Sequence, residues 1–365
     1  MHPPEVVDGR LVFHLDDPHQ LLRQVQLACD DDVVVATRFR RTADGWVLSV
    51  QPPDLDRLEY RLLVTDATGA TSVILDPSNH VEVATAFGHR SVVHMPDYVE
   101  PAWLAASRVA TNQTSKSVST AVGTVPMSMW APAPLDRATP APLLVVHDGP
   151  EYVELAALGR WAAAMVATKR LRPFRMALLQ PVERDDWYAV NPDWPAAVAE
   201  IVAAVAADWV VDEPLVLMGA SLGGLAALQI ALATPSVAGH QVGGVFAQSG
   251  SFFQPLLDPQ ESDYPHFGRI TDWTTAVISD DDAPGGAHSE LRIAMTCGRH
   301  EENHPNNVAM AAGLRQRGHE VTLETVEDLH NYTAWRDALD PPLPALLASV
   351  WQDGDPDGTV GTTPD

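Results

Sequence analysis

The stretch Leu215-Val216-Leu217-Met218-Gly219-Ala220-Ser221-Leu222-Gly223-Gly224-Leu225-Ala226-Ala227-Leu228 decides the reading of this chain. An apolar run stops at a glycine, a lone serine follows, and two more glycines open an Ala/Leu-rich segment. The run reads as a buried strand and the Ala/Leu segment as a helix. Gly219-Ala220-Ser221-Leu222-Gly223 fits G-x-S-x-G, a sharp strand-to-helix turn that presents a nucleophilic serine. The neighbours of that serine must be small, because strand and helix approach closely there. The turn also sets Ser221 near a helix N-terminus, where N–H groups without intrahelical partners can hold an oxyanion. A glycine-rich β–α turn without chemistry is the plain alternative, so the rest of the chain must supply partners for the serine.

Outward from this turn, strand and helix signals alternate. Strands are expected at 127–132 (an edge strand ending at Pro132), 143–149, 176–180, 244–250, 291–298 and 321–326. Helices are expected at 155–167, 194–209, 308–317 and 332–339. Alternation of this kind implies a mostly parallel sheet covered on both faces, an α/β architecture over 126–353. Residues 10–100 differ. Short strand signals at 33–39, 45–50, 58–64 and 72–75, separated by turns such as Asp66-Ala67-Thr68-Gly69, predict a small all-β sandwich domain over 1–105. The polar, Ser/Thr-rich run 111–120 reads as part of a linker or lead-in over 106–125. Residues 354–365, rich in Gly, Asp, Pro and Thr, read as a disordered tail.

Composition narrows the function classes. A formal net charge of −25 argues against nucleic acid or an anionic membrane surface as partner. The two cysteines, Cys29 and Cys297, give neither a disulfide framework nor a CxxC metal pattern. The acidic start of the chain lacks the basic and apolar regions of a signal peptide, and no apolar run is long enough to span a bilayer. A cytoplasmic location is expected.

In a doubly wound sheet the active site gathers at the carboxyl ends of the strands. A serine nucleophile needs a base, usually histidine, and an acid to hold it, in the chain order Ser, Asp/Glu, His. After the last strand comes Glu327-Asp328-Leu329-His330, which makes His330 the candidate base. After the preceding strand comes Gly298-Arg299-His300-Glu301-Glu302, which makes Glu301 the candidate acid, with Glu302 and Asp328 as alternatives. The oxyanion hole should use Leu222 N–H and a second donor after His147-Asp148-Gly149. Pro150 has no N–H, so that donor is Gly149 or Glu151. His147 reads as a structural or wall residue. Arg184 and Trp187 either line a substrate pocket or belong to a capped helix start. Phe252, Phe253, Trp273 and Trp335 read as core more readily than as pocket.

His300-Glu301-Glu302-Asn303-His304 also matches H-E-x-x-H, a zinc signature whose two histidines must share one face of a continuous helix. A strand and Gly298 precede it and Pro305 follows, so a metal is not expected. The serine chemistry needs no metal or organic cofactor.

With these residues in hand, the chain resembles the enterochelin-esterase-type members of the esterase D-like α/β-hydrolases. The resemblance rests on His147-Asp148-Gly149, Gly219-Ala220-Ser221-Leu222-Gly223-Gly224, Gln248-Ser249-Gly250-Ser251-Phe252-Phe253, Gly298-x-x-Glu301 and His330-Asn331-Tyr332-x-x-Trp335-Arg336, in that order. The N-terminal part resembles the family's immunoglobulin-like domain through Phe39-Arg40, Gly45-Trp46, Leu58-Glu59-Tyr60-Arg61 and Asp76-Pro77-Ser78-Asn79. The resemblance implies the α/β-hydrolase fold behind an immunoglobulin-like domain. It implies hydrolysis of a small-molecule ester of the catecholate siderophore class, with Ser221 as nucleophile, His330 as base and Arg184 as a substrate contact. Two features depart from the family. Asn331 stands where an acidic residue often follows the histidine, and few basic residues surround the motifs. The alternatives are an acyltransferase on the same scaffold and a catalytically inert binding protein.

Overall fold

The computed structural model describes residues 2–29, 33–34, 36–106, 110–212, 214–279 and 290–351. Among the described residues, nine strands build the N-terminal part: β1 (Glu5–Val7), β2 (Arg10–Asp16), β3 (Leu22–Cys29), β4 (Arg40–Arg41), β5 (Gly45–Val50), β6 (Arg57–Asp66), β7 (Thr71–Ile74), β8 (Glu82–Thr85) and β9 (Gly88–His94). They form two antiparallel sheets. One has the order β1-β2-β5-β4, the other β3-β6-β9-β8 with β7 against β6. Alternate residues point inward, as Leu11, Phe13 and Leu15 do on β2 and Leu58, Tyr60 and Leu62 on β6. The expected strand at 33–39 is not one. Arg38 makes an isolated bridge to Gln26, and Val35 lies outside the described residues.

The second part is one large mixed sheet. In chain order its elements are β10 (Thr111–Thr120), β11 (Gly123–Pro132), β12 (Leu143–Val146), α1 (Gly149–Leu155), α2 (Leu158–Ala167), β13 (Arg175–Leu179), α3 (Arg184–Tyr188) and α4 (Trp194–Ala206). There follow β14 (Leu215–Ala220), α5 (Leu222–Ala233), β15 (Ser236–Val237), β16 (His240–Gln248), α6 (Phe267–Ser279), β17 (Arg292–Gly298), α7 (His304–Gln316), β18 (Glu320–Val326), α8 (Tyr332–Asp337) and α9 (Pro342–Val350). The sheet runs β10-β11-β13-β12-β14-β16-β17-β18, with β15 on β16. The strands from β13 to β18 along that path pair in parallel, whereas β10 and β11 are antiparallel additions.

Period-two alternation divides the buried residues between the two faces. Val145, Leu215 and Leu217 face a core shared with Ile201 and Val202 of α4 and Leu225 of α5. Val146, Val216 and Met218 face a second core with Trp161 of α2 and Leu347 of α9. Strands buried on both faces read as continuous apolar runs, which is why β12 and β14 are recognisable in the sequence.

Further sequence expectations fail in this part. The run 111–120, read as linker, is a ten-residue strand, and 127–132 is therefore not an edge. β10 is mostly exposed, so its Ser/Thr residues suit an edge strand with one face in water. The expected helix at 155–167 is two helices, broken at Ala157, whose φ is 51°. Helices α6 and α9 were not anticipated. The tail at 354–365 lies outside the described residues.

Candidate active site

β14 ends and α5 begins at Ser221, whose φ of 54° and ψ of −126° are strained for a residue with a Cβ. Three contacts hold it there. Ser221 N–H donates to the Gln248 carbonyl at 2.9 Å, and the Ser221 carbonyl accepts from the N–H groups of Gly224 at 3.1 Å and Ser251 at 3.2 Å. The glycines make the turn sterically feasible. A Cβ on Gly219 would lie 2.3 Å from the Gly223 carbonyl carbon, inside the backbone. Leu222 is the first residue of α5, so its N–H belongs to the unpaired first turn.

β17 and β18 deliver the other two predicted residues. Glu301 is buried, and its Oε2 lies 2.8 Å from His330 Nδ1. Its Oε1 accepts from Gly298 N–H and from Ser249 Oγ, each at 2.7 Å. A Cβ on Gly298 would sit 2.2 Å from the Asp328 carbonyl oxygen and 2.7 Å from Glu301 Oε1, so only glycine lets these two strand ends meet. Trp335 packs edge-on to the His330 ring, with centroids 5.0 Å apart. Asn331 accepts from Ala334 N–H at 2.8 Å and so caps α8, which accounts locally for an amide at this position.

Ser221, Leu222 and His330 line one cavity of about 370 Å³. Ser251, Phe253 and Tyr264 form more of its wall, and Glu261, Glu302 and Asn303 complete it. Ser251 Oγ lies 3.1 Å from Ser221 Oγ. Glu302, the alternative acid, thus faces the cavity while Glu301 faces the histidine. A larger cavity, about 510 Å³, opens between β17, β18 and α9 and is lined by none of the predicted site residues.

Four residues considered from sequence lie elsewhere. Arg184 grips the Asp148 carboxylate with two nitrogens, Nε at 2.9 Å and Nη2 at 2.7 Å, and does not line the cavity. Trp187 is core, stacked on Trp194 with centroids 5.6 Å apart. The signal read as a pocket wall was therefore the start of α3, which has no side-chain cap but carries Asp185 and Asp186 in its first turn. Gly149 is buried at the start of α1, where a Cβ would strike Leu178 Cα at 2.4 Å, and it too is absent from the cavity wall. His147 is fully buried; it contacts the Met218 carbonyl through Nδ1 at 3.0 Å and accepts from Trp194 Nε1 at 3.2 Å. Burial holds its pKa down at about 4, so it stays neutral and structural.

The H-E-x-x-H reading loses its helix. α7 begins at His304, so exposed His300 lies outside it and the two histidines share no helical face.

Residues of the site that were not assigned a role from sequence include Glu261, Tyr264 and Asn303, and also Ser249 and Ser251. Ser249 (φ 47°) donates to Glu301 and accepts from Trp335 Nε1 at 2.9 Å, linking the acid to the ring beside His330. Ser251 lines the cavity beside Ser221. The signal for both was their position just after β16, at a carboxyl strand end.

The comparisons agree with this architecture. The Esterase family profile matches residues 123–346. Among curated protein sequences, no relative matches. The enterobactin esterase of Shigella flexneri, solved with 2,3-dihydroxy-N-benzoyl-glycine, is similar in structure, with a TM-score of 0.74 and 20% identity over 97% of this chain and 98% of that one. The ferric enterobactin esterase of Salmonella typhimurium gives a TM-score of 0.72 at 22% identity, covering 95% and 97%. A ferulic acid esterase gives 0.52 at 14% identity, covering 66% of this chain and 98% of that one. Likenesses at such identity establish the shared α/β-hydrolase fold. The family profile spans more than half of the sequence, and the chain belongs to the Esterase family.

Proposed function

We propose that the chain is a serine esterase that hydrolyses small-molecule carboxylic esters through an acyl-enzyme. Ser221 Oγ attacks the ester carbonyl while His330 Nε2 takes its proton. Glu301 accepts the Nδ1–H, which fixes the tautomer and stabilises the imidazolium. The negative charge on the tetrahedral oxygen is held by Leu222 N–H at the start of α5. Collapse of that intermediate breaks the C–O bond, and His330 returns the proton to the departing alcohol. Water, deprotonated by His330, then attacks the acyl-enzyme. The carboxylic acid leaves, and Ser221 recovers its proton.

The observation that carries this reading is the 2.8 Å contact between His330 Nδ1 and buried Glu301, in a histidine that shares one cavity with Ser221. Likeness to the enterobactin esterases makes siderophore-type catecholate esters the first compounds to screen.

The test is labelling by a fluorophosphonate, which reacts with activated serines. Wild type is expected to label, and folded Ser221→Ala and His330→Ala are not. Absence of labelling in folded wild type would overturn the mechanism and favour a binding protein on this scaffold.

A further inference from the structure

The cavity that holds Ser221 and His330 has an acidic wall. Glu261 lies at the end of a short 3₁₀ turn (Pro259–Glu261), and Glu302 follows Glu301 directly. The two carboxyl groups are within hydrogen-bonding reach of each other, and Glu302 Oε2 also accepts from Gln260 Nε2 at 3.0 Å. Partial burial, then the charge of Glu302, raises the Glu261 carboxyl above its ordinary value. Two carboxylates this close resist ionising together unless they share a proton or face a cation.

Among the described lining residues, only His330 can carry a positive charge near the pair, and that charge draws the Glu261 carboxyl down. None of the described residues lining it is Lys or Arg. Two nearby arginines are already engaged. Arg184 is held by Asp148, and Arg269 by the Ala189 carbonyl and Asp186. The wall also carries Phe253, stacked on Phe267, and Tyr264, an aromatic lining of the kind that attracts an alkylated ammonium. A polyanionic ligand here would meet an acidic pair and no fixed positive charge.

From this geometry we infer that the ester bears a positive charge, an amine or quaternary ammonium, on the part that rests against Glu261 and Glu302. The inference rests on the serine-esterase reading and deepens it by naming the substrate's charge.

The experiment compares three p-nitrophenyl esters with acyl chains of matched length ending in trimethylammonium, tert-butyl or carboxylate. Each is assayed with wild type and with the Glu261→Gln/Glu302→Gln double variant. In wild type, kcat/KM for the cationic ester should exceed that for the neutral one by about tenfold, with the anionic ester slowest. The preference should shrink toward unity in the double variant and with added salt. Equal turnover of cationic and neutral esters by wild type overturns the inference. So does a double variant that keeps the preference, or one that slows all three alike, since the pair would then act on His330 rather than on substrate. Labelling of Ser221 by fluorophosphonate without a cation preference overturns the inference alone. No labelling and no turnover by folded wild type overturns the esterase reading and this inference with it.

Discussion

Arg57, on β6 of the N-terminal part, is ion-paired with Asp328, two residues before His330. The same guanidinium binds Asp337 of α8 and lies 4.0 Å from Glu59. Its side chain is fully buried. Beside it, Asp56 N–H donates to the Glu327 carbonyl at 2.7 Å. The segment bearing the histidine is therefore fastened to the N-terminal sheets. Arg57→Met should leave buried Asp328 without its cation and part-buried Asp337 with Arg336 as its cation, at a cost of about 3–5 kcal/mol. Urea unfolding should show the loss, and kcat should fall more than KM rises for a neutral ester. Wild-type stability in this variant would refute the role of Arg57 as a fastener.

One guanidinium serves three carboxylates here, and burial dominates. It pushes the Asp328 carboxyl from its ordinary 3.8 up to about 7, against the pull of Arg57. The folded chain therefore holds that proton more tightly than the unfolded chain. The stability it contributes is fully present below about pH 4 and is lost as pH rises through about 7. Asp328→Asn, which stays neutral, should lack this slope. Melting curves at about pH 5 and pH 8 should show wild type losing stability relative to the variant, by about 1 kcal/mol per pH unit in that window. Parallel melting behaviour would show that Asp328 stays ionised.

Glu301→Gln keeps the shape of the side chain but removes the charge, and lets the amide favour the wrong histidine tautomer. A drop in kcat on the order of 10³–10⁴-fold is expected, with little change in melting temperature. Steady-state kinetics on a p-nitrophenyl ester would measure it. Activity within a few-fold of wild type would pass the acid's role to another carboxylate.

Ser249→Ala deletes one donor to Glu301 Oε1 and the acceptor of Trp335 Nε1. Both atoms are buried, so a cost of about 1–3 kcal/mol in stability is expected. The informative reading is the pH–rate profile. If Ser249 positions Glu301, the apparent base pKa should move in the variant and be restored by Ser249→Thr.

The sequence disclosed what depends on short, local signals. The buried strands β12 and β14 are continuous apolar runs, and the turn at Ser221 ends one of them. Two things stayed hidden. β10 is polar along its length because one neighbour and one open face suffice at an edge, so composition pointed to a linker. Arg184 and Trp187 read as pocket residues because a strand-end loop with an arginine and aromatics has the same composition whether it faces ligand or core. Only the Asp148 carboxylate and the Trp194 ring, distant in sequence, decide which.

Leu329, next to His330, is buried in the core of the N-terminal sandwich with Leu55 and Met95. A hydrolase cut free of its first hundred residues would bare that leucine at the root of the loop that carries His330. A foreign sandwich grafted in its place would need a socket of the same shape. The two parts are thus obliged to be inherited together, and drift in the front half is constrained by chemistry carried out in the back.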